Sequence, residues 1–223
     1  FPTPSNRNHY FLSFMATREA AAARSKQLSA DSREVVVPSC ADLERRVLLE
    51  SDDDEWLRWY FGADCHNPFW YAFTNQQREM ILAIRKAIQY GGDQSIAASR
   101  GEGKTSLVER MLLKYTLQGT ISFSVLFSAT GSAAENSLES IKSDIADNDR
   151  LCDDYPEVCV PVRALENTPN RAHYQIVTGK RHDNGEEFVK SPSKFSWCGH
   201  EISLPNVPGS PAAAAIIATR GLD

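Results

Sequence analysis

Residues 95–113 read SIAASRGEGKTSLVERMLL. A short β-rich apolar run, Ser95 to Ser99, passes through a small-residue turn into a helix-forming stretch from about Lys104 to Gln118. The turn closes on Gly103-Lys104-Thr105, the tail of a phosphate-binding loop, although Ala98 stands where the strict GxxxxGK[ST] pattern has its first glycine. Such a loop works because successive backbone N–H groups surround anionic oxygens while the next helix presents its positive end. Gly101 and Gly103 allow the close backbone approach this needs. Lys104 is placed to reach the β- and γ-phosphates, and the Thr105 hydroxyl to hold magnesium, with Ser99, Glu102 and Ser106 as the neighbouring candidate contacts. A residue at the end of a strand keeps its backbone in the β region without being glycine, so Ala98 does not destroy the cradle. A lysine at a helix N-terminus is unfavourable unless an anion compensates, which favours an anion site over an ordinary turn.

Outward from the loop, the pattern is strand and helix in alternation. Met80, Ile81, Ile84 and Ile88 recur at helical spacing, and Gly91-Gly92 signals the stop. After the loop helix, Ser124 to Thr130 (SVLFSAT) reads as a strand and residues 133–148 as a helix; Ala214 to Thr219 reads as a further buried strand. This predicts an α/β fold with a parallel sheet flanked by helices. Between them lies a proline-punctuated segment, with a hairpin expected around Asn184-Gly185. Residues 16–28 and 40–62 read as helical, the second broken by the acidic run Asp52 to Glu55, which suits a solvated helix start. The expected division is a mostly helical N-terminal extension, 1–67, and the front part of an ATPase domain, 68–223. Residues 1–14 read as an extension ahead of a natural start at Met15.

Composition excludes some classes. With 24 basic against 29 acidic residues the formal charge is -5, which argues against a broad nucleic-acid-coating surface but not against a local channel. Arg163, Arg171, Lys180, Arg181 and His182 are the candidates for a DNA-facing surface. No stretch is long and apolar enough for a membrane span. Five scattered cysteines do not form a secreted disulfide framework and suit a reducing, intracellular setting; Cys65-His66 and Cys198-Gly199-His200 lack the paired spacing of a structural zinc site.

The run Ser99-Arg100-Gly101-Glu102-Gly103-Lys104-Thr105 resembles the SRxxGKT phosphate loop of the large terminase subunits of tailed bacteriophages and prophages, DNA-packaging ATPases of the P-loop (ASCE-type) class. The likeness continues in order through FSATGSAAENSLESIKSDIADN, DDYPEVCVPVRALEN and IIATRGLD, covering about Cys40 to Asp223. The resemblance implies ATP and magnesium as cofactors, Lys104 and Arg100 as catalytic groups, and adenine contact by Gln76 or Gln77 after Phe73. It implies double-stranded DNA, the portal of the prohead and the small terminase subunit as partners, a homo-oligomeric ring when assembled, and the cytoplasm of the infected host as location. No apolar strand ending in Asp or Asp-Glu, which hydrolysis needs for magnesium and water, follows the loop. The P-loop ATPase fold is therefore expected to be incomplete, and this chain to bind nucleotide while hydrolysing it poorly. A helicase-like translocase shares the same loop, and a non-catalytic nucleotide-binding remnant is the alternative from another class.

Overall fold

The computed structural model describes residues 33–63, 65, 68–166, 168–181 and 183–222. The helix expected over 16–28, the start expected at Met15, His66 and His182 lie outside the described residues. The chain divides between Glu34 and Val35 into two units, and the second, Val35–Asp223, carries the loop.

Helices α1 (Leu43–Ser51) and α2 (Asp53–Tyr60) are separated by Asp52, whose carboxylate accepts hydrogen bonds from the Asp54 and Glu55 amides and so starts the second helix. The acidic run is thus a helix start, as its sequence suggests. Asp53 within it is nevertheless buried. Helix α3 (Asn75–Tyr90) buries Met80 and Ile81, half-buries Ile84 and Ile88, and stops at Gly91 with φ +73°. Helix α4 (Lys104–Leu117) is buried on most of its surface, carrying Leu107, Met111, Leu113 and Leu117 together with Glu109, Arg110, Lys114 and Thr116. Helix α5 (Gly131–Asp147) buries Ala134, Leu138, Ile141 and Ile145, the stripe that a 3.6-residue period produces. Trp56, Leu57, Tyr60 and Phe61 share one core with α3, α4 and α5, so α2 packs into the same body as the helices on either side of the loop.

The proline-punctuated segment forms two short helices, α6 (Asp149–Asp154) and α7 (Pro156–Arg163), then a 3-10 turn, Pro169–Tyr174. Pro156 sits at the start of α7, where its missing N–H has no helical partner to lose. These helices anchor α1 and α2. Arg46, 1% exposed, donates to Glu157 (2.8 Å), Glu50 (3.0 Å) and the Asp154 carbonyl (2.9 Å), and Asp154 accepts from Tyr60 (2.7 Å) and from Arg45.

There are two sheets among the described residues. Strands β1 (Glu34–Val37), β3 (Ile176–Lys180) and β4 (Glu187–Pro192) lie in the order β1-β3-β4, and β3 and β4 make the expected hairpin around Asn184-Gly185. The second sheet runs β2 (Phe123–Ser128), β7 (Ile216–Gly221), β6 (Glu201–Ser203) and β5 (Ser196–Trp197). Strands β2 and β7 are parallel, Phe123 opposite Ile216 through Ser128 opposite Gly221, and α5 packs on both. Strands β6 and β5 add antiparallel, so the sheet is mixed and the parallel α/β expectation holds for one strand pair. The expected strand over Ser95 to Ser99 does not form. A strand is completed by a neighbour's hydrogen bonds, and this segment pairs with no described strand.

Gly119, at the exit of α4, has φ +75°, and a Cβ there would lie 2.5 Å from the Pro211 carbonyl oxygen. Gly119→Ala is expected to destabilise the unit by about 2–3 kcal/mol through strain and backbone displacement, read as a lowered midpoint in urea.

Candidate phosphate-binding loop

The loop joins two helices. The last turn of α3 ends at Gly91, residues 92–99 run without regular structure, and α4 begins at Lys104. Gly103 caps α4 in the left-handed region (φ 75°, ψ 18°), and Gly101 has φ +91°. Both conformations suit glycine, which is why these two positions carry it. The first helical bond runs from the Leu107 amide to the Gly103 carbonyl (2.9 Å). The amides of Lys104, Thr105 and Ser106 therefore have no acceptor within the helix, and no side chain among the described residues caps this end. A helix of 14 residues thus presents bare N–H groups and its positive end to the loop.

Lys104 sits at the first position of that helix, and its Nζ reaches back to donate to the carbonyls of Ala98 (2.6 Å) and Ser99 (2.7 Å). Two carbonyl dipoles here compensate an ammonium held at the wrong end of a helix dipole. The Ser99 carbonyl also accepts from the Glu102 amide (3.4 Å), closing the turn. Open space surrounds Gly101, and a Cβ at Gly103 would meet only the Gln77 amide nitrogen at 3.9 Å. Ser99, Arg100 and Thr105 are exposed, and Glu102, Gly103, Lys104 and Ser106 half-buried. All the loop residues singled out by the sequence are contiguous at this turn, and its backbone is reachable.

Gln77 is brought to the loop as well, though in a different role from a free reader of a base. Its Oε1 accepts from the Thr74 amide (2.9 Å), the Thr74 hydroxyl accepts from the Gln77 amide (3.2 Å), and its Nε2 donates to the Glu102 carbonyl (3.2 Å). The first two bonds are a capping box. The third ties the start of α3 to the loop. Gln76 is exposed. Phe73 is buried against Phe69 (ring centroids 4.9 Å apart), so its faces belong to the core, whereas Trp70 and Tyr71 are exposed. The spacing Thr74-x-x-Gln77 carries the capping-box signal in sequence; the bond from Gln77 to Glu102 has none. Gln77→Ala is expected to cost about 1 kcal/mol through the cap and to weaken any ligand at the loop roughly three- to tenfold, since the Glu102 carbonyl loses its tether. Thermal melts and a titration on the same sample separate the two effects.

Three of the candidate DNA-facing cations come with acids. Arg163 pairs with Asp149 (2.9 Å), Arg171 with Glu166 (2.5 Å) and Arg181 with Asp183 (2.7 Å), which lowers the positive field each projects. The described cysteines are free thiols, and no group of three or more potential metal ligands occurs among the described residues. No described helix is long and apolar enough to cross a membrane.

Compared with family models, curated proteins and solved structures, the chain matches none.

Proposed function

We propose that residues 98–106 bind the phosphates of ATP with magnesium, and that the chain is the nucleotide-binding part of a DNA-packaging motor of the large-terminase type. The observation that carries this reading is Lys104, folded onto the Ala98 and Ser99 carbonyls over an uncapped helix N-terminus. An entering polyphosphate offers the ammonium full negative charge in place of two dipoles, and gives acceptors to the amides of Lys104, Thr105 and Ser106. In this reading Thr105 holds the magnesium, Arg100 meets the γ-phosphate, and the exposed Gln76 is the better placed of the two glutamines for the base. The motor assignment is supported by the loop's likeness to SRxxGKT and by the β2-β7 parallel pair with α5 packed on it. Hydrolysis in this reading needs an acid-ended strand. The outer edge of β2, where Phe123 and Phe127 are exposed, is a place for a strand to add.

Calorimetry with Mg-ATP tests the loop: heat of binding, competed by pyrophosphate, is expected, and its absence on folded protein removes the reading. In the assembled motor, with double-stranded DNA, the portal of the prohead, the small terminase subunit and a ring of copies in the host cytoplasm, ATP-driven DNA uptake is the expected activity. Duplex unwinding without a prohead would mean a helicase-like translocase instead, and binding that never leads to turnover in that assembly a non-catalytic module.

A further inference from the structure

Helix α5, the end of α7, the start of the 3-10 turn and β5 line a cavity of about 480 Å³ that shares no residue with the phosphate loop. That volume suits a small organic molecule. Its walls are graded by charge. The acids that line it, Glu139, Asp147 and Glu166, are all exposed, whereas its two cations, Lys142 and Arg163, are half-buried. Each cation also lies deeper than the acid it pairs with. Lys142 is 14% exposed against 56% for Glu139 (2.6 Å), and Arg163 is 32% exposed against 89% for Asp149 (2.9 Å). Water screens the outer charge of each pair more than the inner one, so the inside of the cavity is the positive side of both. Asp147 accepts from the Ser143 hydroxyl and Glu166 pairs with Arg171, so those two acids are engaged elsewhere.

The Arg163 guanidinium is only partly used. Its Nε donates to the Ala146 carbonyl (2.7 Å) and its Nη1 to Asp149, while its Nη2 is buried and has no hydrogen-bond partner among the described residues. A buried N–H without an acceptor is costly, and an oxyanion is the partner that a guanidinium fork suits. The Lys142 Nζ lies 5.7 Å from the centroid of the Trp197 ring, which joins the second cation to a flat apolar wall. Buried Val162 and Leu165 extend that apolar surface.

We propose that this cavity binds a small aromatic phosphate monoester, its phosphate taken by Arg163 and Lys142 and its ring lying along Trp197. The choice of phosphate follows from the donors: two cations and an unpartnered N–H call for more than a carboxylate brings, and a phosphate monoester carries close to two negative charges and three acceptor oxygens. The choice of an aromatic body follows from the Trp197 wall beside Lys142.

Phenyl phosphate, a ring and a phosphate with nothing else, is the probe. Titrated into the unsubstituted protein at neutral pH, it is expected to shift the indole N–H resonance of Trp197, identified as the signal missing from Trp197→Phe, with half-saturation below about 1 mM. Arg163→Gln and Lys142→Gln should each weaken binding at least about tenfold, and Lys104→Ala should leave it unchanged. A Trp197 signal that stays fixed up to about 10 mM probe overturns the proposal. So does one that phenol moves equally, because the ring would then suffice without the charge. Binding that Lys104→Ala removes and Arg163→Gln spares would put the phosphate on the loop and overturn it as well. The titration of the unsubstituted chain stands even if a variant does not fold.

Discussion

Mg-ATP binding is expected to weaken at least about a hundredfold on Lys104→Ala, a loss of roughly 2.7 kcal/mol, while the unit keeps its fold. The size comes from what the ammonium does in each state. Without ligand, Lys104 satisfies two loop carbonyls at a half-buried position, and its removal lets water reach them at small cost. With a polyphosphate at the uncapped end of α4, it is the positive charge closest in sequence to the helix amides, and no neutral side chain replaces it. Lys104→Arg is not expected to rescue binding, because a planar guanidinium presents its donors in a fixed fork and not as a compact charge. Titration calorimetry on both variants, with circular dichroism to establish folding, gives the answer. Equal affinity in unsubstituted protein and Lys104→Ala would place any nucleotide site elsewhere.

The second large effect concerns stability. Asp53→Ala is expected to destabilise the second unit by about 3–5 kcal/mol, lowering its thermal midpoint by roughly 6–20 °C. Asp53 is 1% exposed and accepts from Lys114 Nζ (2.5 Å) and Arg85 Nε (2.5 Å), with the Tyr115 hydroxyl at 3.3 Å, so one carboxylate ties α2 to α3 and α4. Burial already lowers the Lys114 pKa, and the hydrogen bond to Asp53 is the largest opposing influence. Removing the acid leaves a fully buried ammonium without its counter-ion. Arg85, partly exposed, can turn to water. Adding Lys114→Met to Asp53→Ala should therefore recover at least half of the loss, since an apolar chain of similar length needs no partner. A single substitution costing under about 1 kcal/mol would mean that water reaches Lys114 and that the network does not hold the helices.

The order of residues along the chain determined the elements whose signals are local. The α3 stripe of Met80, Ile81, Ile84 and Ile88, the stop at Gly91, the turn glycines Gly101 and Gly103, and the hairpin at Asn184-Gly185 each depend on side chains within a few positions of one another. The same locality made the loop residues from Ser99 to Ser106 recognisable as one unit. Tertiary structure decided what depends on partners distant in sequence. Ser95 to Ser99 has β-forming composition but pairs with no described strand, so its hydrogen bonds do not form a ladder. Asp53 reads as part of a solvated acidic run, yet Lys114, sixty-one residues later, places it in the core. Gln77 enters the sequence reading as an adenine contact that the resemblance implies, and only the fold puts the Glu102 carbonyl within its reach. Periodicity and turn chemistry act through bonds made nearby and are written into short stretches; burial and pairing of polar groups depend on which surfaces meet, and that is known only once the helices and strands have packed.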